Sequence, residues 1–540
     1  MPWIALIYEM NYQANTQIPP ARPSQSGALA ASAGLIIFLT ILARPFGIFR
    51  EILNAAYFGT QGELDIFLLS ASIPVFLCTI LGGGLVQAVV PGLCEAAQSG
   101  GARQWQILTR LAKWTFVVSI LIAAVNYLLA PYIVPLLFPR DTHSDDLRLG
   151  INTYRLLSPA IVGGMISGLF VGAANTFHLY SYTTLRSVAY NIMIMGSLIL
   201  FHRRLGVYSL GVGILLAEFS QMLVVFPPIR ARGFRLLSSE RDAVNPFRII
   251  LTAFLPAVLL SAMGQVNYLV DQMLAMPLGE GCVSSLNYAW KLILLPATLL
   301  GVAFATPLLT FLSVHEAQKE REEVGYLFIQ TVEMMLFFAV PIFFLIFTTS
   351  KEVISLFYAW GRFGEKGIYL TSAALFSYSL GLPFQLLLPL CTAGFMAIKK
   401  PWTPVLVSLP FIPLNYILDR ILMIKFSHAG IALATSLIFL INVTLLFLLL
   451  RWHLKTGKLI FALRRQTGFF ISVPIFFICI LFIYRAGQFE IIPRTRLTIL
   501  FELLSVSLLT IGGYLLLAHA FQLNVMSQLG NLKKKFTKNP

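Results

Sequence analysis

Charge is scarce in this chain. Only 11% of its 540 residues are Asp, Glu, Lys or Arg, against about 25% in soluble domains. With 57% hydrophobic residues and a mean hydropathy of +0.80, that deficit excludes a water-soluble globule and leaves a polytopic membrane protein. Acidic residues are scarcer still, 23 against 39 Lys and Arg. Basic loops on anionic headgroups account for the imbalance, and no nucleic-acid module accompanies it. Cysteine is thin as well. The five (Cys78, Cys94, Cys282, Cys391, Cys479) stand singly with no CxxC pair, which argues against a disulfide framework or a thiolate metal site.

The usual signatures of nucleotide and metal chemistry are missing too. His315-Glu316-Ala-Gln-Lys319 begins like a zincin helix, but its fifth position is Lys where the second His must stand. Gly211-Val-Gly213 lacks the third Gly and the preceding strand of a dinucleotide loop. No Walker lysine motif occurs, so ATP is not the direct energy source unless a partner supplies it. The seven His are dispersed, an enzyme is not expected, and no covalently bound cofactor is implied. The first 27 residues lack the three regions of a signal peptide, so the first helix is expected to be its own insertion signal.

What the chain has is length and apolar runs. Spans long enough for about 30 Å of hydrocarbon are expected near 28–58, 64–94, 107–138, 149–176, 183–201 and 206–228. After a basic loop they resume near 247–276, 283–313, 325–348, 368–397, 403–424 and 429–450, with two more near 467–484 and 496–520. The expected fold is therefore an all-α polytopic membrane protein of about fourteen transmembrane helices. With the amino terminus inside, cytoplasmic loops hold roughly 23 basic residues against roughly 11 outside, which satisfies the charge rule and places both termini in the cytoplasm. His202-Arg203-Arg204 is the one dissonant outer loop.

Against this background, Arg44-Pro45-Phe-Gly47-Ile-Phe-Arg50-Glu51 sets charges inside the first apolar segment. One Arg at a helix centre costs about 2.5 to 3.5 kcal/mol even on the mildest scale, so these charges require a polar interior. The competing reading is a basic cluster snorkelling to headgroups. Arg44 and Glu51 share a helix face, Arg50 projects roughly 100° to 120° away, and Pro45 and Gly47 are expected to interrupt the helix. Arg50 and Lys291 fall in corresponding regions of the two halves, so both could meet one anionic group, a phosphorylated lipid among the candidates.

A faint repeat supports two halves. Glu51 to Gly59 has the spacing of Asp271 to Gly279, and Thr183 stands to Thr403 at the same offset of about 220 residues. Two pseudo-symmetric six-helix lobes around a central cavity are expected at 28–229 and 247–452. A basic linker joins them at 230–246, with an amino-terminal extension at 1–27, two further helices within 453–520 and a basic tail at 521–540. Asp271 has a candidate partner set in Asn415 and Asp419, four apart on one helix face, and Ile431 and Thr435, four apart on the next. Such oxygen donors suit sodium. Alternatively, Asp419 merely pairs with Arg420.

Over nearly its whole length the chain resembles the MurJ (MviN) lipid II flippases of the multidrug/oligosaccharidyl-lipid/polysaccharide exporter superfamily. The resemblance lies in Arg44 to Glu51, Asp65-Ile-Phe to Pro74, Gly84 to Pro91, Tyr288-Ala-Trp-Lys291 with Pro296, Gly361-Arg-Phe363 and His428-Ala-Gly430. It implies two lobes around a V-shaped cationic cavity, with the last two helices forming a groove for the lipid tail. The implied function is flipping of lipid II, the undecaprenyl-diphosphate-linked precursor, across the bacterial cytoplasmic (inner) membrane. Residue by residue, the resemblance gives Arg50, Glu51 and Lys291 to substrate binding, with Arg44 and Asp65 as further functional charges. It gives Asp271, Asn415, Asp419, Ile431 (through its carbonyl) and Thr435 to a sodium site. Departures are Trp290-Lys291 for the family's Asp-Arg, and Gly82-Gly83-Gly84 for its Ala-Glu-Gly on the second helix, where basic residues near Phe76 to Thr79 are also replaced. Two other readings stay open: a cation-coupled exporter of drugs or another polyprenyl-linked glycan, and a non-transporting scaffold that binds cell-wall synthesis proteins.

Overall fold

The computed structural model describes residues 43–98, 101–177, 179–235, 246–318, 320–454 and 496–520. Every regular element among them is helical. The order begins with α1 (43–58), α2 (Gly62–Gln98), α3 (Gly101–Leu137), α4 (Ser144–Leu157), α5 (Ala160–Thr176), α6 (Tyr180–Leu205), α7 (Tyr208–Ala231) and α8 (Pro246–Ala275). It continues with α9 (Cys282–Ala317), α10 (Arg321–Thr348), α11 (Ser350–Tyr358), α12 (Gly364–Ser379), α13 (Leu382–Ala397), α14 (Trp402–Ser408), α15 (Phe411–Phe426), α16 (His428–Leu454) and α17 (Arg496–Ala520). Ten described helices or helix pairs are long and apolar enough to cross a membrane, eleven when one bent pair is taken as a single span. The all-α polytopic class therefore holds. The expected span at 467–484 and the first part of 28–58 lie outside the described residues.

Three expected spans are each broken in two. The run at 149–176 divides at Ser158-Pro159, where proline can neither donate to the helix nor avoid the preceding carbonyl. In hydrocarbon the freed polar groups must be satisfied internally. Here the Tyr154 hydroxyl donates to Asn126 Oδ1 (2.6 Å), the Asn126 amide to Ser158 Oγ (3.0 Å) and Ser158 Oγ to the Tyr154 carbonyl (2.8 Å). The run at 368–397 bends by 46° between α12 and α13, and Ser436 Oγ donates to the freed Ser377 carbonyl (2.7 Å). The run at 403–424 breaks before α15, at Pro410. By contrast, α1 is helical from 43 to 58 without the interruption expected at Pro45 and Gly47. A helix-interior Gly costs only about 1 kcal/mol, which packing readily offsets.

Two compact units divide the described residues. The first runs to Ser284 and also takes in Trp360–Phe363; the second comprises Ser285–Ala359 and everything from Gly364 onward. In the first unit α2 packs on α5 and α8, and α6 packs on α7. The α2–α5 crossing is built on glycine, since a Cβ at Gly82 would lie 2.7 Å from the Gly164 carbonyl oxygen, and one at Gly168 would strike the Gly82 backbone. Close backbone approach of this kind is how lipid-embedded helices gain packing energy. A second seam joins the end of α1 to Trp360–Phe363. Gly59 (φ +58°) sits against the Arg362 carbonyl and Gly361 (φ +55°) against the Ala56 carbonyl, so each lacks both the room and the backbone geometry for a side chain. In the second unit α16 packs on α12, α13 and α15.

Candidate functional site

In the first unit Arg50 and Glu51, adjacent on α1, form a partly buried ion pair. Arg50 Nε donates to Glu51 Oε1 at 3.0 Å and Nη2 donates to the same oxygen. The side chains are 21% and 7% exposed, which is burial expected of a paired charge and not of a snorkelling one. The helix projects the two Cβ atoms apart, but the long Arg side chain spans the difference. The Arg50 guanidinium also lies 5.9 Å from the centre of the Tyr190 ring on α6, a cation–π arrangement. Arg44 is half-buried six residues before Arg50 on α1.

Asp65, near the start of α2, is 2% exposed and both its oxygens are occupied. Oδ2 accepts the Gly281 N–H (2.6 Å) and Oδ1 the Ser284 N–H (2.7 Å). In return Glu280 Oε1 accepts the Gly62 N–H at the start of α2 (2.9 Å). Each carboxylate thus takes up orphan donors at the other helix's amino end, where the helix dipole favours negative charge. The geometry gives Asp65 a capping role, beside the functional charge that the family resemblance implies.

A further polar cluster lies between α6 and α7. Arg186 Nη1 donates to Gln221 Oε1, and Gln221 Nε2 donates to Glu218 Oε2 at 2.9 Å. The residues Glu218 and Gln221 are 9% and 7% exposed. In the sequence Glu218 falls inside the apolar run at 206–228, and Arg186 sits three residues inside that at 183–201, where a cation reads as a snorkelling end.

In the second unit Lys291 is half-buried on α9, beside Trp290, whose ring is 5.3 Å from Tyr378 and stacks on Phe439. Asn415 and Asp419 are 2% and 0% exposed on α15, and the Asn415 amide donates to Asp419 Oδ2 at 2.9 Å. On α16 the Thr435 hydroxyl donates to the Ile431 carbonyl at 3.2 Å. The two helices approach closely at Gly430, where a Cβ would strike the Leu422 carbonyl. This brings four of the five expected sodium ligands onto two helices in contact, while Asp271, 6% exposed on α8, belongs to the first unit. Arg420, the alternative partner of Asp419, is exposed. Among the described residues no group of three or more His, Cys, Asp or Glu side chains could hold a metal ion. The zincin-like His315 instead pairs through Nδ1 with Glu320 Oε2 (2.6 Å).

A many-spanned helical fold with charged side chains buried in its interior defines a multi-pass membrane protein. The same fold occurs in an inward-facing multidrug resistance MATE family transporter of the MOP superfamily, 13% identical, with a TM-score of 0.66 over 75% of this chain and 94% of that one. A lipid II flippase MurJ in an inward closed conformation matches at a TM-score of 0.74 and 24% identity, over 91% of this chain and 99% of that one.

The chain belongs to the MurJ family, whose model, described as lipid II flippase MurJ, matches residues 54–518. A probable lipid II flippase MurJ of Buchnera aphidicola from Schizaphis graminum is 24% identical over 92% of this chain and 98% of that relative. One from Rhizobium meliloti is 27% identical over 81% and 83%.

Proposed function

We propose that the chain flips lipid II from the inner to the outer leaflet of the bacterial cytoplasmic membrane by alternating access. The family match across residues 54–518 carries this reading, and the buried Arg50–Glu51 pair supplies its chemistry. A diphosphate offers oxygens to which a guanidinium binds in bidentate fashion. At rest Glu51 offsets the cost of burying Arg50, and the arriving diphosphate competes with Glu51 for the same donors. Arg44 and, on the family resemblance, Lys291 are assigned to the same cargo. The chain is read as a transporter and not an enzyme, driven by membrane potential or an ion gradient. One charge crossing the full field is worth about 2.3 kcal/mol per 100 mV. Two six-helix lobes at 28–229 and 247–452, fourteen spans, cytoplasmic termini and cell-wall synthesis partners belong to this proposal. The test is replacement of an essential lipid II flippase by this chain, followed by a leaflet-accessibility assay. Growth with lipid II exposed on the outer face is expected, and failure of both at normal expression would overturn the reading.

Sodium is proposed as the coupling ion. Asn415, Asp419, the Ile431 carbonyl and Thr435 offer the oxygen donors a hard cation takes, with Asp271 added by the family resemblance. A cation that binds only the folded chain stabilises it by about 2.7 kcal/mol at a hundredfold excess over Kd. Sodium is therefore expected to raise the melting temperature of the wild type over potassium at equal ionic strength, and Asp419→Asn to lose most of that rise. An unshifted wild type would remove sodium from the mechanism.

A further inference from the structure

Glu218 has no part in the reading above, although it lies near the middle of α7 with its carboxylate buried. Its hydrogen-bond donor is the neutral amide of Gln221 (2.9 Å), whose oxygen in turn accepts from Arg186. An amide thus stands between the carboxylate and the cation on this route, an arrangement that leaves a buried charge incompletely compensated. The groups facing Glu218 come from α6, α2 and α5. Arg186 and Tyr190 lie on α6 and Cys78 on α2, all within electrostatic range. On α5, Gly163 packs against the Glu218 backbone and Cβ and contributes no charge.

Tyr190 connects this cluster to the cargo site. Its hydroxyl is in electrostatic range of Glu218 on one side and of Arg50 and Glu51 on the other, and its ring lies under the Arg50 guanidinium. Arg50, Glu51, Arg186 and Glu218 carry charges that sum to zero. An anion bound at Arg50 adds negative charge to that set in a medium of low dielectric. A proton is the smallest charge able to restore the balance.

We propose that Glu218 is a proton-binding site of the first unit, and that it takes up its proton when an anionic group draws Arg50 away from Glu51. The proton comes from bulk water and joins Glu218 Oε1, and Oε2 continues to accept from Gln221. This coupling rests on the assignment of Arg50 to the diphosphate, whereas the existence of the proton site does not.

Two measurements on the full-length chain in nanodiscs test the two parts. Without ligand, infrared spectra recorded across pH are expected to show a protonated-carboxyl band that Glu218→Gln removes; should that variant not fold, Glu218→Asp is expected to displace the band's midpoint. Absence of any Glu218-dependent band would overturn the site. In weakly buffered solution with a pH indicator, farnesyl diphosphate serves as the probe. The wild type is expected to take up about one proton per probe bound. By the same linkage Glu218→Gln, which fixes the side chain in an uncharged form, is expected to bind the probe about tenfold or more tightly than wild type and to take up none. Equal uptake by Glu218→Gln would overturn the coupling. Failure of the wild type to bind the probe, with the band intact, would remove the Arg50 assignment and the coupling together and leave the proton site standing.

Discussion

Arg50→Ala is expected to abolish complementation in cells that depend on this chain, and Arg50→Ala with Glu51→Gln to restore stability without restoring function. The single substitution removes a charged partner of a carboxylate that is 7% exposed. Breaking a buried pair from one side costs about 3 kcal/mol or more, chiefly through the charge left behind. The added Glu51→Gln neutralises that charge, so the melting temperature should recover towards wild type. Transport should not recover, because the guanidinium that pairs with Glu51 and would bind the cargo is gone. Lys291→Arg, by contrast, is expected to be tolerated, since it keeps the charge and adds a bidentate donor. Expression-matched complementation and thermal denaturation read both effects. Normal growth with Arg50→Ala would move the cargo site elsewhere, with Arg44 the next candidate.

Asp65→Asn is expected to lower stability by about 1 to 3 kcal/mol, the cost of leaving a buried donor unmet. The carboxylate uses both oxygens, one for the Gly281 N–H and one for the Ser284 N–H. Asparagine offers one acceptor, so its own amide group must face a backbone N–H. A residue that only contacted cargo would weaken transport and leave thermal stability unchanged. A wild-type melting temperature for Asp65→Asn, together with lost transport, would restore Asp65 to the cargo site.

Much of this architecture was legible because lipid imposes length and apolarity on every span. The ends of α2, α6, α7, α8, α9 and α10 fall close to the apolar runs that announced them. The breaks at Pro159, Gly381 and Pro410 were not read, since apolar residues continue across them and hydropathy does not register a missing N–H. Arg50 and Glu51 stood out as charges where charge is costly, but their pairing was hidden by a helical angle that ignores the reach of the guanidinium. Asp65 was marked only by the family resemblance, because its partners Gly281 and Ser284 are more than 200 residues away, and nothing local marks a backbone N–H as a ligand. Arg186 was missed because a cation at a span's edge resembles an anchor until the helix proves to begin at Tyr180.

The seam between Gly59 and Gly361 bears on the order in which the protein is made. The chain that completes the first unit is not all in its first half, because Trp360–Phe363 follow Ser284 by roughly 75 residues. At about 5 to 20 residues per second, the ribosome delivers that segment roughly 4 to 15 s after Ser284. Until then the carbonyl of Ala56 and the backbone of Gly59 wait uncovered at the end of α1. The first unit is thus finished by a late strip of chain, and a fragment ending in the basic loop after α7 would lack one of its own walls.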